Sequence, residues 1–328
     1  MVRLIVKGWA NGDPPAVVRK ARRVFGLPNF AVGLYSLGVT IETVEAQAGG
    51  HRIKGEWIRP LGSVSPEHVI FYLHGGGYVS CTPQTHRPIT TALARLARCP
   101  VFSLDYRLAP EHPFPAAVDD ATAAFRWLVA SGVPANKIAV AGDSAGGGLV
   151  LAMMLRLRSS GHALPGCGVC LAPWVDLTAA DAYRNSGSCS MFQPADVASF
   201  AGLYLNGAAA NTPEASPLFA DLRGLPPLLI QVSSTELLLD DALRLHEKAR
   251  RCGVACTLKV YPGLPHVWQL LTPLIPEGKL ALMEIVSFIE RTWKPTDSAG
   301  TASINAIETT EEQLQTAKIA GRLDKSRE

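Results

Sequence analysis

Three short stretches carry residue types that together do acyl-transfer chemistry. Gly142-Asp143-Ser144-Ala145-Gly146 is a G-x-S-x-G turn between the apolar run Ile138-Ala139-Val140-Ala141 and a Leu-, Met- and Ala-rich stretch that reads as a helix. In that context the serine stands on a sharp strand-to-helix turn as a nucleophile. The flanking glycines avoid clashes, and the helix start points free N–H groups and its positive end at a developing oxyanion. Taken alone the turn also suits a phosphate, although it lacks the lysine of a P-loop. His74-Gly75-Gly76-Gly77-Tyr78 follows the strand-like Val69–Leu73, and such a glycine loop brings bare backbone N–H groups close to a bound carbonyl. His74 precedes the glycines and reads as an anchor of that loop rather than a base.

A serine hydroxyl is a weak nucleophile at neutral pH and needs an imidazole to take its proton. Of eight histidines, His266 in Y-P-G-L-P-H-V-W-Q sits in a loop after the last strand and before the last helix, at the carboxyl end of the sheet. His51, His68, His86, His112, His162 and His246 fall at strand starts, helices or loops without such a reason. The imidazole needs a carboxylate to hold its tautomer, in the chain order serine, acid, histidine. After the strand 228–232 the sequence offers Glu236, Asp240 and Asp241. Glu236 lies in the loop four residues past Val232 and is the preferred acid, with Asp240 as its rival. Asp240 and Asp241 also have an ordinary place in the first turn of a helix.

These residues need strands and helices to aim them. Residues 1–40 carry helically spaced apolar positions (Val17, Val18, Ala21, Val24, Phe25) broken by prolines, so short helices are expected. A hairpin follows on either side of Gly49-Gly50. Strand and helix then alternate: strand 69–73, helix 84–98, strand 101–104, helix 116–130, the serine turn, and strand 167–172. Strand 228–232, helix 238–252, strand 255–261 and helix 277–292 complete the series. That rhythm predicts an α/β fold with a mostly parallel sheet covered by helices on both faces. Residues 176–224, with Phe192, Phe200, Tyr204 and a proline-rich return, interrupt it as an insertion above the sheet. After Trp293 the chain turns polar and small, so residues 294–328 read as a tail, disordered or carrying a short helix over 310–323.

With 48% hydrophobic and 18% charged residues, the 328-residue chain suits a globular protein with a large core. A net charge of +3, with dispersed basic residues, gives no footprint for nucleic acid. No apolar run is long enough to span a membrane, and the N-terminus lacks a secretion signal. Seven scattered cysteines argue for reduced thiols in the cytoplasm. Cys167 and Cys170 lie on a strand and lack the turn of a zinc knuckle, so no metal or other cofactor is expected.

With those residues in hand, the chain resembles carboxylesterases of the hormone-sensitive-lipase family (bacterial lipase family IV), which have the α/β-hydrolase fold. The similarity rests on H-G-G-G-Y at 74, D-Y-R-L-A-P-E-H-P-F-P-A-A at 105, G-D-S-A-G-G at 142, L-A-P-W-V-D-L-T at 171, S-P-L-F-A-D-L-R-G-L-P-P at 216 and P-G-L-P-H-V-W-Q at 262. It covers roughly residues 40–293 and implies an eight-stranded sheet, a catalytic domain over 41–293 and a helical cap built from residues 1–40 and 176–224. The resemblance makes Ser144 the nucleophile and His266 the base. Gly76, Gly77 and the Ala145 amide form the oxyanion hole, with Gly75 shaping the loop. The family's usual aspartate falls on Glu236, and the last aspartate of that segment on Asp240. Tyr78, Asp143, Phe192, Tyr204 and Leu205 are the implied pocket residues.

Arg107 and Glu111 have two readings, contact with the site or, preferred, pinning of the loop beneath the glycines. The activity implied is hydrolysis of short- to medium-chain esters, with pairing of two copies through the last strand. The same triad serves an amidase or deacetylase. A catalytically silent receptor on this fold is the rival from another class, and such relatives lack the histidine that this chain keeps at His266.

Overall fold

The computed structural model describes residues 14–25, 35–62, 67–178, 183, 185, 187–272 and 274–294. The expected tail beyond Lys294 with its short helix, most of the remaining N-terminal segment, and residues 179–182, 184 and 186 of the insertion lie outside the described residues.

Eight strands, β1 (Val39–Ala48), β2 (His51–Pro60), β3 (Val69–Leu73), β4 (Val101–Leu104), β5 (Ile138–Asp143), β6 (Cys167–Leu171), β7 (Leu228–Ser233) and β8 (Cys256–Tyr261), make one sheet in the order β1-β2-β4-β3-β5-β6-β7-β8. β1 and β2 are the expected hairpin, in register from Val39 opposite Pro60 to Ala48 opposite His51. β2 joins β4 antiparallel, and every other pairing is parallel. All five residues of β3 are buried, as strands covered on both faces require.

Side chains of alternate residues point to opposite faces. Phe71, Leu73, Phe102, Leu104 and Val140 therefore join one core, and Ile70, Tyr72, Val101, Ala139 and Ala141 the other. Helices α3 (Ala116–Ala130), α4 (Ala145–Ser159) and α6 (Leu239–Arg251) cover the first face. Helices α2 (Arg87–Ala97) and α7 (Pro276–Trp293) cover the second through Ile89, Leu93, Leu282, Ile285 and Ile289. The sequence placed the start of α2 at residue 84, but residues 83–86 make a turn of 3-10 helix. The α-helix proper begins at Arg87, and the missing N–H of Pro88 costs nothing in its first turn.

Two further helices, α1 (Pro14–Phe25) and α5 (Pro194–Leu205), lie outside the strand–helix alternation. Val17 and Ala21 of α1, and Val197, Phe200 and Tyr204 of α5, pack into the first core. Arg22 fastens α1: its guanidinium donates to the carbonyls of Val79 and Ala109 and forms a two-pronged pair with Glu111. No described helix is long and apolar enough to cross a membrane.

Candidate active site

β5 ends at Asp143 and α4 begins at Ala145, which leaves Ser144 alone to make the turn. Its φ of 53° and ψ of −120° are unusual for a non-glycine residue, and neighbouring bonds hold them. The Ser144 N–H donates to Leu171 O at 2.7 Å, and its carbonyl accepts from Trp174 N at 2.9 Å. Gly146 is glycine for a steric reason: a Cβ there would stand 2.1 Å from the carbonyl oxygen of Leu73. Ala145, the first residue of α4, offers one of the N–H groups that a helix start leaves without a helical partner.

The glycine loop at the end of β3 is bent around Gly76, whose carbonyl accepts from Val79 N, Ser80 N and Ser80 Oγ. Gly76 and Gly77 line the same cavity as Ser144, with φ values of 112° and 63°. Gly75 does not line it. Its N–H donates to Asp143 Oδ1 at 3.0 Å, and a Cβ there would lie 2.2 Å from Asp143 Oδ2. Gly75 therefore shapes the loop and offers no donor to a substrate, which narrows its expected place among the oxyanion residues. His74 is an anchor: its buried ring stacks on Tyr106 at 4.2 Å, and Tyr106 Oη donates to the His74 carbonyl at 2.7 Å. Burial, with repulsion from His86, lowers its pKa to about 4, so the ring is neutral at pH 7.

His266 follows β8 in the loop before α7, beside Ser144 at the cavity. Its Nδ1 is bonded to Glu236 Oε2 at 2.5 Å, and Glu236 Oε1 accepts from Ser233 N at 2.8 Å. Glu236 is 1% exposed. A carboxylate there accepts the Nδ1 hydrogen, which leaves Nε2 of His266 as a proton acceptor. No direct Ser144–His266 hydrogen bond forms among the described residues, a common state before a substrate tightens the site. The other two acids have different places. Asp240 is half-buried in the first turn of α6, and Asp241 is buried, its Oδ2 accepting from Val175 N and Asp176 N at 2.9 and 3.0 Å.

The cavity over Ser144 has a volume of about 110 Å³ and is mostly apolar. Phe192 lines it and sets its edge against the His266 ring at 5.3 Å. Asp143 also borders it, but its carboxylate is committed to Gly75, Tyr72 and His86. Burial favours the protonated form of Asp143; attraction and hydrogen bonding from His86, with the Tyr72 bond, outweigh that and hold its pKa below the usual range. Tyr78, Tyr204 and Leu205 do not line the cavity, contrary to expectation. α5 carries Val197 and Phe200 into it but brings Tyr204, one turn on, face to face with Tyr78 at 3.8 Å, behind the glycine loop. Leu205 is buried in the same core.

Arg107 grips Asp120 of α3 with three side-chain bonds of 2.7–3.0 Å, and Glu111 holds α1, so both pin loops and neither lines the cavity. Trp174, Phe200 and His86 line the cavity without having been singled out from the sequence as pocket residues. Trp174 follows the carboxyl end of β6, a position that could have signalled it.

The family model for the α/β-hydrolase fold matches residues 70–270. An acetyl-hydrolase of Streptomyces hygroscopicus is 42% identical over 236 residues, 71% of this chain and 78% of that protein. An esterase of Acinetobacter venetianus is 37% identical over 244 residues, 72% of this chain and 78% of its own length. Among solved structures, an esterase of the bacterial hormone-sensitive-lipase family is 40% identical with a TM-score of 0.75, over 88% of this chain and 100% of the other. The esterase EstE5, in a crystal soaked with p-nitrophenyl butyrate, is 37% identical with a TM-score of 0.72, over 86% of this chain and 99% of that one. A serine on a strained strand-to-helix turn, with a glycine loop and a carboxylate-bound histidine at the same cavity, thus stands in a chain similar to proteins named esterases and an acetyl-hydrolase: it belongs to the hormone-sensitive-lipase family of α/β-hydrolase-fold enzymes.

Proposed function

We propose that this ester hydrolase is a serine carboxylesterase of short- to medium-chain acyl esters, working through an acyl-enzyme. Ser144 Oγ attacks the ester carbonyl while His266 Nε2 takes its proton, and Glu236 stabilises the imidazolium that forms. The N–H groups of Gly76, Gly77 and Ala145 receive the oxyanion. Collapse expels the alcohol with the proton from His266. A water activated by the same imidazole then attacks the acyl-enzyme and frees Ser144 and the carboxylic acid.

The observation that carries this reading is the Glu236–His266 bond at 2.5 Å beside a cavity that Ser144 shares. The cavity walls include Val197, Phe200, Leu237 and Leu270, apolar side chains that suit an acyl chain beside Ser144. Initial rates on p-nitrophenyl esters from acetate to palmitate, with matched anilides, test it. The expected profile peaks at short or medium esters, with palmitate and the anilides slow. Anilides cleaved as fast as esters, or a peak at palmitate, would reject the assignment.

All seven cysteines are free thiols, which supports a reducing compartment, the cytoplasm. The outer edge of β8 has no neighbouring strand among the described residues, which leaves room for the implied pairing of two copies. Light scattering on the eluting protein reads that pairing directly, and a monomer mass at all concentrations would dismiss it.

A further inference from the structure

His86 ends the 3-10 turn before α2, is 2% exposed, and has both ring nitrogens engaged. Nε2 stands 3.2 Å from Asp143 Oδ2, and Nδ1 stands 2.9 Å from Thr85 Oγ1. Thr85 Oγ1 is itself fixed, accepting from Thr82 N at 3.0 Å, and its one hydroxyl hydrogen faces both Thr82 O at 2.7 Å and the Nδ1 lone pair. Asp143 divides its oxygens between two tasks. Oδ1 accepts from Gly75 N at 3.0 Å and from Tyr72 Oη at 2.7 Å, while Oδ2 faces His86. An ionised carboxylate has only acceptors, so the hydrogen in the His86–Asp143 bond belongs to Nε2; the Gly75 N–H also lies 3.4 Å from Nε2, but its shorter bond, at 3.0 Å, is to Asp143 Oδ1.

The carboxylate sits directly on the oxyanion loop, since a Cβ at Gly75 would fall 2.2 Å from Oδ2. Its rotation about the Cβ–Cγ bond therefore decides where the Gly75 amide rests and, through the chain, where the next two amides point. The bond to Tyr72 anchors one oxygen; a donor on the other is needed to stop that rotation. Deprived of that donor, Oδ2 would be a buried charged oxygen without a partner. It would turn to find one at the expense of the Gly75 bond. His86 borders the cavity, but both of its polar atoms are already used inside the fold, so its influence on a substrate is indirect.

We propose that His86 is a positioning residue for the oxyanion loop: its Nε2–H locks the Asp143 carboxylate that holds Gly75 N–H, and thereby aims the Gly76 and Gly77 amides. This inference rests on the serine-esterase reading above, so the wild-type chain is first shown to hydrolyse p-nitrophenyl butyrate and to take up one organophosphate label. Failure at that step would reject the esterase reading itself. The test then compares His86→Met, similar in size but without a donor, with His86→Gln, whose side-chain amide restores an N–H near the place of Nε2.

Complete removal of one oxyanion donor costs about 10²–10³ in kcat, and a tilted loop keeps part of that contribution. His86→Met is therefore expected to lose about ten- to a hundredfold in kcat, with KM within about threefold of wild type. Its affinity for a trifluoromethyl ketone, a mimic of the tetrahedral oxyanion, should fall by a similar factor. His86→Gln should recover most of both. A purely packing role predicts equal damage in the two variants, seen as a lower Tm with kcat unchanged. That pattern, or a loss confined to KM, would overturn the proposal. If His86→Met does not fold, His86→Asn, whose shorter amide falls short of Asp143, gives the same comparison against His86→Gln.

Discussion

Glu236→Gln isolates the electrostatic half of the site while leaving its shape almost unchanged. The native carboxylate faces two donors, Ser233 N–H at 2.8 Å and His266 Nδ1 at 2.5 Å. Glutamine brings one acceptor oxygen and one NH₂ group. If the oxygen serves Ser233, the NH₂ faces Nδ1 and drives the imidazole into the tautomer that carries its hydrogen on Nε2, which can no longer take the serine proton. If the oxygen serves His266, the NH₂ meets the Ser233 N–H head on. With the residue 1% exposed, no water relieves either conflict.

A base held in the wrong tautomer costs about 10³–10⁴ in kcat, or about 4–5.5 kcal/mol of transition-state stabilisation. The folded state should lose only about 1–3 kcal/mol for the mismatched donor. Steady-state kinetics on p-nitrophenyl butyrate, paired with the rate of organophosphate labelling, should therefore show kcat and labelling falling together, with KM little changed. Asp240→Asn, in the first turn of α6, should stay within a few-fold of wild type. The reasoning fails if Glu236→Gln keeps more than about a tenth of wild-type kcat, or if Asp240→Asn is the more damaging change.

Two further outcomes follow from the surroundings of the site. Phe200 packs its ring over Gly77, where an added Cβ would meet it at 3.0 Å, and closes one side of the cavity. Phe200→Ala should raise the kcat/KM ratio of decanoate to butyrate several-fold while lowering stability by about 3 kcal/mol or less, since part of the ring faces the cavity; an unchanged ratio would remove Phe200 from the specificity wall. Burial raises the pKa of Asp241 to about 7, so the fold keeps a proton that the unfolded chain releases near the ordinary carboxylate value. Stability should then fall as pH rises from about 4 to about 7, by at most about 4 kcal/mol. In Asp241→Asn, which keeps an acceptor for Val175 N and Asp176 N, the decline of Tm with pH should flatten, and parallel Tm–pH curves for the two proteins would refute the assignment.

The elements were legible wherever burial on both faces makes a strand a continuous apolar run. Val69–Leu73 and Val101–Leu104 appear in the structure with the bounds read from the sequence. Ser144, the glycine loop and His266 were legible because tight turns at strand ends restrict residue types. The three neighbouring acids were harder to separate. Which carboxylate meets His266 depends on how far a side chain reaches across 30 residues of sequence separation, and spacing alone left Asp240 open beside Glu236.

The pocket walls were the least legible part. Tyr78 and Tyr204 have the size and polarity of wall residues, but the docking of α5 is set by tertiary packing, and it turns them onto each other. His86 lies in the polar stretch T-P-Q-T-H, where no local pattern points to chemistry, and its partner Asp143 is 57 residues away. The resemblance set Gly75 apart as the glycine that shapes the loop, but the physical reason, the Asp143 carboxylate against it, comes from tertiary packing.

The central claim is that Ser144 is the nucleophile of an acyl-enzyme, and covalent labelling tests it most directly. Incubation with diethyl p-nitrophenyl phosphate, followed by mass spectrometry of the intact chain and its peptides, should give one phosphoryl group per chain. The label should sit on the peptide containing Gly142-Asp143-Ser144, and loss of hydrolysis should track its uptake. Ser144→Ala should take up no label and retain almost no turnover. A label on another residue that accounts for the inactivation, or a folded Ser144→Ala chain that hydrolyses esters at the wild-type rate, would contradict the account.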